Sequence, residues 1–281
     1  MSTDRPKARK PRRRIQTDQK ARVPVRRAVS AEVEGQRQQG DPTVCATLEA
    51  AWAAADPAGD LGLTHAFHTY PARMHPQIAR TLIEEFTETG NVILDPFCGG
   101  GTVPLETMVA GRRPIGSDLN PLAIRVAATR TRRRNKEERQ AFLGLVEDIA
   151  ERSTDRVRER VPVLAKIPRS ETRWYGPHIL KEMAGLLEEI RTTEDKEVRN
   201  DLEMIFSSLI VKFSNQESDT AERETTKRLR KGLVTEFFAR KASELCEGWE
   251  AIESALPERF FPPRLRQSDA RKVDRLRPKI S

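Results

Sequence analysis

Along this 281-residue chain the spacing of apolar positions changes character twice. Between Pro76 and Ala127 short apolar runs alternate with helix-spaced ones. Ile78, Leu82, Ile83 and Phe86 fall on one face of a helix opened by Pro76 and ended by Gly90, a face suited to packing on a sheet. Val92–Leu94 reads as a buried strand, and Val103–Ala110 as a helix closed by Gly111. Arg113–Ser117 reads as a second strand ending on Asp118. A helix through Ala127 follows it, with Asn120 as cap and Pro121 at its first position. Strand, helix, strand and helix in this order predict an α/β unit.

From about Asn135 to Leu256 only helical spacing remains. Residues 136–161 are helical and highly charged. Leu180, Met183, Leu186, Leu187 and Ile190 predict one amphipathic helix; Leu202, Ile205, Phe206, Leu209, Ile210 and Phe213 predict another. A third runs from about Ala221 to Leu256 through Leu229, Leu233, Phe237, Leu245, Trp249 and Ile252. This is a helical insertion far longer than an ordinary α/β crossover. After Pro262-Pro263, Arg264–Gln267 reads as a third strand, and residues 42–56 as a short helix ahead of the unit. The expected organisation is an arm over 1–41, an α/β unit over 42–134, the insertion over 135–258 and the third strand within 259–281.

Candidate chemistry centres on residues 92–102, where the first strand meets Asp95-Pro96, then Phe97, Cys98 and three glycines, then Thr102 at a helix start. Glycine lets backbone approach a ligand closely, and free N–H groups at a helix N-terminus favour an anionic group. Asp118 lies about twenty positions past the glycine turn, where a Rossmann-type unit holds ribose hydroxyls. No Gly-Lys-Ser/Thr follows the glycines, which disfavours a phosphate-binding P-loop. The pattern points to a nucleotide-like cofactor.

DPFCGGGT at 95–102 followed by GSDLNPLA at 116–123 resembles the cofactor motifs of amino-group DNA methyltransferases. Those enzymes methylate exocyclic amines of cytosine or adenine with S-adenosylmethionine. Upstream, Tyr70-Pro71-Ala72-Arg73-Met74-His75-Pro76 is similar to the Pro-Ala-basic-apolar-Pro segment that precedes the glycine loop in one circular order of that family, with His75 as an extra residue. The resemblance covers residues 67–130. It implies an incomplete Rossmann-like methyltransferase sheet with S-adenosylmethionine held by Tyr70, Pro71 and Arg73, by Asp95, Pro96, Phe97, Cys98, Gly99, Gly101 and Thr102, and by Asp118, Leu119 and Asn120. It further implies a loop over residues 64–76 that covers the methionine end of the cofactor. In the family a Gly-Asp-Ala-like turn brings its Asp near the adenine amino group; here that turn is Ser268-Asp269-Ala270, with serine in the glycine position.

The family also carries a [Asp/Asn/Ser]-Pro-Pro-[aromatic] motif that holds the target amine toward the methyl group and stacks on a base taken out of the duplex. Pro262-Pro263 stands between Phe261 and Arg264 and matches neither end of it, so no catalytic residue is assigned. The expectation is a split or truncated enzyme, DNA as substrate, and a C-terminal half on a separate chain that covers an unpaired sheet edge after the third strand. An RNA guanine-amino methyltransferase, which shares a similar glycine loop, and a non-catalytic nucleic-acid-binding remnant are the competing readings.

Charge refines this picture. Residues 1–40 hold 12 Lys or Arg and 4 Asp or Glu, a net of +8 that equals the formal charge of the whole chain. The Arg-rich start reads as a disordered arm, either a phosphate-attracting tail or a solubilising one. Arg130–Arg134 and Arg264–Lys279 are basic clusters that either line a nucleic-acid channel or, for the first, form a solvated helix end. The polar loop Ser214–Thr220, with Lys227, Arg228, Arg230 and Lys231 on the next helix, is read either as a base contact or as an interhelical turn. Trp174-Tyr175 suits a core or hinge better than base stacking. His65, His68 and His75 lack Cys or carboxylate partners at ligand spacing, so no metal site is expected. Three isolated cysteines and no transmembrane run fit a reducing cytoplasm and no membrane.

Overall fold

The sheet is small, and its strands end where the chemistry was expected. In the computed structural model, which describes residues 39–56, 59, 61–71, 73–164, 172–216 and 227–272, β1 (Val92–Asp95), β2 (Arg113–Asp118) and β3 (Arg264–Gln267) pair in parallel in the order β1-β2-β3. Asp95 is opposite Gly116, and Asp118 is opposite Gln267. The carboxyl ends of all three strands therefore share one rim, the edge at which open parallel sheets bind ligands. The arrangement is α/β and Rossmann-like, with only three strands among the described residues.

Helix starts follow the expected local chemistry. α1 (Pro42–Ala53) is capped by Asp41, whose carboxylate accepts the Thr43 and Val44 N–H groups. α2 (Pro76–Phe86) has proline in its first turn and is capped by His75. α3 (Thr102–Val109) links β1 to β2, and α4 (Pro121–Arg130) follows with Asn120 accepting the Leu122 N–H at 2.9 Å. The apolar face of α2 buries Ile78 and Ile83 against α3 and α1 rather than directly against the sheet. Phe86 remains 47% exposed, because it lies at the last turn beyond those contacts.

Among the described residues, four helices fill the stretch before β3: α5 (Lys136–Glu159), α6 (Pro177–Arg191), α7 (Lys196–Phe213) and α8 (Leu233–Ala255). A capping box at Asn135 and Glu138 starts α5. The expected start of the last helix near Ala221 is corrected: residues 227–232 are not helical, and Gly232 in the left-handed region (φ +80°) turns the chain into α8. Lacking a cap of its own, α8 borrows Glu182 from α6. That carboxylate accepts the Gly232, Val234 and Thr235 N–H groups at 3.0–3.2 Å. Lys227, Arg228, Arg230 and Lys231 consequently precede the helix instead of lying on it. Lys227 Nζ reaches the carbonyls of Val211, Lys212 and Gln216 at the end of α7. Of the polar loop, residues 217–220 lie outside the described residues.

The main apolar core joins the helices beside the sheet to the later ones. Leu105 and Met108 of α3, Val126 of α4, Phe142 of α5, Ile179 of α6, Leu202 of α7 and Phe238 and Trp249 of α8 belong to the same buried cluster. The Trp249 indole N–H donates to the Thr129 carbonyl at 2.9 Å, which ties α8 to the end of α4.

The basic run at 130–134 is mostly turned inward, with Arg133 left half-exposed beside Glu253. Arg132 and Arg134 each lie 2.8 Å from Asp201 of α7, which is fully buried and also accepts the Thr129 hydroxyl. Arg134 also lies over the Trp249 and Phe142 rings. The strand segment of the second basic cluster is the edge strand β3, and residues 273–279 lie outside the described residues. Tyr175 packs against the core and its hydroxyl donates to the Ile210 carbonyl, while the Trp174 backbone carbonyl accepts the Asn215 N–H.

The sheet has two edges. β3, Arg-Leu-Arg-Gln, is charged, which discourages pairing, whereas β1 leaves Val92 44% and Leu94 41% exposed.

Candidate cofactor site

The turn after β1 is shaped by Asp95, whose carboxylate accepts the Phe97 N–H at 3.0 Å. Gly99 (φ +48°) and Gly101 (φ +84°) adopt the left-handed conformation, and Gly101 delivers the chain into α3. Space dictates glycine as firmly as conformation does. A Cβ on Gly101 would stand 2.8 Å from that of Ala127, and one on Gly100 would stand 2.9 Å from the Arg130 guanidinium.

Asp118, at the end of β2, reaches across to this turn. One carboxylate oxygen accepts the Gly99 N–H at 3.0 Å and the other accepts the Asn120 N–H at 2.8 Å. Each oxygen retains a lone pair for a further donor. Asp95 faces the same space: burial, reinforced by the nearby Asp118 charge, raises its carboxyl above the usual range despite the Phe97 bond. Tyr70 covers the glycine turn, its ring 3.3 Å from where a Gly99 Cβ would be, and its hydroxyl accepts the Asn120 amide at 3.2 Å. Burial and the Asp118 charge keep that phenol protonated. Phe97 (76% exposed) and Leu119 (70% exposed) stand beside the two carboxylates as uncovered apolar surface.

Of the residues expected here, Tyr70, Asp95, Phe97, Gly99, Gly101, Asp118, Leu119 and Asn120 thus meet on one rim. Pro96 lies within the turn, where its carbonyl accepts the Ser117 hydroxyl, and Thr102 is buried at the first turn of α3. Cys98 points inward; its thiol is pushed up to about 12 by burial and then by the Asp95 and Asp118 charges, so it is an inert packing group. Pro71 is exposed beside Tyr70. Arg73 donates to the His65 carbonyl at 2.8 Å, inside its own loop. Asp269 follows β3, next to the Ser268 N–H that donates to the Asp118 carbonyl, and Ala270 opens the short turn after it. The Asp269 carboxylate is gripped by Arg271, which pulls it down to about 2.

Beneath the rim lies a network that sequence patterns did not reveal. Arg130, fully buried, donates to the carbonyls of Thr64 (3.1 Å), His65 (2.6 Å) and Gly100 (2.7 Å). It thereby rivets the histidine-bearing loop to the glycine turn. His65 Nδ1 lies 3.3 Å from the same guanidinium, so its Nε2–H is the donor to Glu106 at 2.6 Å. Burial holds His65 below its usual range and therefore neutral. Burial pushes Glu106 upward, but the bonds from His65 and Arg80 outweigh it and leave the carboxyl below its ordinary range. A single acid within the apolar helix Thr102–Val109 is the signal that could have found this network. His68 lies 3.2 Å from the Ser207 hydroxyl and His75 caps α2, so the three histidines have separate packing partners. Among the described residues no group of three His, Cys, Asp or Glu could hold a metal ion.

Residues 13–129 match the DNA methylase model of the N4/N6 amino-methyltransferases. The type II methyltransferase M.MvaI of Kocuria varians is 39% identical over 72 residues, 25% of this chain and 16% of that protein. The type II methyltransferase M.XycI of Xanthomonas campestris pv. cyanopsidis is 39% identical over 69 residues, 25% of this chain and 22% of its own length. A tRNA (guanine(10)-N2)-dimethyltransferase of Methanothermobacter thermautotrophicus is 38% identical over 52 residues, 18% of this chain and 16% of the relative. The chain thus spans less than a quarter of the length of these relatives. No solved structure matches it. Over residues 13–129 the chain is therefore similar to the DNA methylase family and, over about a quarter of its length, to type II methyltransferases.

Proposed function

We propose that this chain is the S-adenosylmethionine-binding portion of a DNA methyltransferase that modifies an exocyclic amine of cytosine or adenine. The observation that carries the reading is the meeting of Asp95, Asp118 and the Tyr70-covered glycine turn at the carboxyl ends of two adjacent parallel strands. The residues fit a nucleoside. Asp118 has acceptor capacity for ribose hydroxyls, Phe97 and Leu119 offer apolar faces for a flat base, and the glycines leave room for close backbone approach. When bound, S-adenosylmethionine supplies an electrophilic methyl group for direct displacement. The rim residues would orient it: Tyr70 over the turn, Asp95 as a nearby carboxylate facing the cationic portion, Asn120 holding Tyr70. Asp269 is proposed for the adenine amino group on condition that it exchanges its Arg271 contact.

The [Asp/Asn/Ser]-Pro-Pro-[aromatic] motif is not in residues 1–281. Alignment of the target amine is therefore assigned to none of these residues. The type II names of the relatives support a role in restriction-modification, and the unpaired cysteines suit the reducing cytoplasm. Among the described residues no helix is long and apolar enough to cross a membrane.

Calorimetry with S-adenosylmethionine tests the cofactor half: binding to the intact chain, weakened at least tenfold by Asp118→Ala, is the expected outcome. Absence of heat with a folded sample overturns the reading. Transfer of labelled methyl to DNA and to tRNA, by a version that carries the Pro-Pro motif, separates the DNA reading from the RNA one that the tRNA enzyme match favours.

A further inference from the structure

The face where the last turn of α7 meets α8 gathers cations that the cofactor site does not use. Lys212 Nζ lies 4.1 Å and Arg240 Cζ 3.9 Å from the centroid of the same Phe237 ring. Lys241 Nζ is 5.9 Å from the Phe67 ring, and Lys227 closes the group from the end of α7. Among the described residues the acid facing these four cations is Glu244, 2.9 Å from Lys241 and 3.7 Å from Arg240. Burial, together with the charges of Arg240, Lys241 and Lys227, holds the Lys212 ammonium below its usual range. Cations crowded in this way are relieved by an incoming anion, and a row of them suits a polyanion.

We propose that this face holds the phosphate backbone of DNA, with Lys212, Arg240 and Lys241 as the phosphate contacts. The inference rests on the DNA reading above and adds where the substrate lies. Position supports it: Phe67, which Lys241 approaches, is three residues before Tyr70, and His68 of the same loop lies 3.2 Å from Ser207 on α7. A backbone tracked along α7 and α8 therefore arrives at the loop that covers the glycine turn. The Phe237 ring keeps two of the cationic heads stacked and extended, which lowers the ordering cost of phosphate contact. Lys227 is excluded from the contacts because its ammonium is engaged by three carbonyls.

The test is the salt dependence of binding to a labelled duplex, measured by anisotropy on the full chain and on a Lys212→Gln/Arg240→Gln/Lys241→Gln variant. Glutamine keeps much of each stem on its ring. The slope of log affinity against log salt is expected to fall by about 2 to 3 in the variant. Arg158→Gln/Arg191→Gln, which removes two cations elsewhere, should leave that slope unchanged. An unaltered slope in the triple variant, no duplex binding by the parent chain, or tighter binding to RNA of the same sequence each overturns the inference. A chain that binds duplex through these residues but takes up no S-adenosylmethionine upholds it and overturns the cofactor reading instead.

Discussion

The guanidinium of Arg130 stands 2.7 Å from the carbonyl of Gly100, thirty residues earlier, and holds the glycine turn from below. Because Arg130 is fully buried and its hydrogen-bond partners are carbonyls and one imidazole, its charge is met by dipoles. Burial and the charge of Arg73 pull it down to about 9, which still leaves it protonated near neutrality. Lysine cannot reproduce the fork that spans three carbonyls. Arg130→Lys is expected to lose on the order of 3 kcal/mol in urea unfolding and to weaken S-adenosylmethionine binding in calorimetry.

Gly101→Ala meets two obstacles, a left-handed backbone and a Cβ 2.8 Å from that of Ala127. The expected loss is roughly 2–4 kcal/mol, seen as a lower melting temperature together with lost cofactor binding. Gly144→Ala, on an open helix face, should be neutral or mildly stabilising in the same melt.

Acid should destabilise the molecule through His65 and Glu106. His65 is lowered in the folded chain, so between its folded value and the unfolded 6.5 the unfolded chain binds the extra proton, and stability falls as pH falls through that window. Glu106 is also lowered, so its contribution is present above the unfolded 4.5 and is lost as pH drops further. Melting temperatures from pH 8 to 4 should decline below about 6.5. His65→Gln should start lower and decline less across the first part of that range.

Asp201 joins α7 to the end of α4 by accepting from Thr129 and facing Arg132 and Arg134 at 2.8 Å. Asp201→Asn leaves two largely buried guanidinium groups with the exposed Glu197 as their remaining carboxylate. A destabilisation of about 3–5 kcal/mol is expected in chemical unfolding.

Thiol reactivity offers a quick check of burial. Cys98 and Cys246 are buried, with thiols raised to about 12 and about 11, whereas Cys45 is half-exposed on α1. A native sample should release one equivalent rapidly with a disulfide reagent and the remaining two only on unfolding.

The α/β unit was legible because its signals are local. Pro76 and Pro121 mark helix starts, Asn120 caps α4, and the glycines at 99 and 101 sit where the backbone turns left-handed. The carboxylates of Asp95 and Asp118 converge as their spacing suggested. What escaped depends on partners remote in sequence. Arg130–Arg134 reads as a nucleic-acid channel lining or a solvated helix end until Asp201, about seventy positions on, is brought against Arg132 and Arg134. The start of α8 was placed too early because helical spacing of Leu229 continues across Gly232, where conformation rather than hydrophobicity decides.

Because Trp249 of α8 is bonded to the carbonyl of Thr129, and its ring is packed edge-on to Phe142, the four-helix stretch is not a cassette that could be excised or swapped. Cutting it out would open the flank of α4, and with it the seat of Arg130. Any shortened version of this protein would have to rebuild the wall behind its glycine turn.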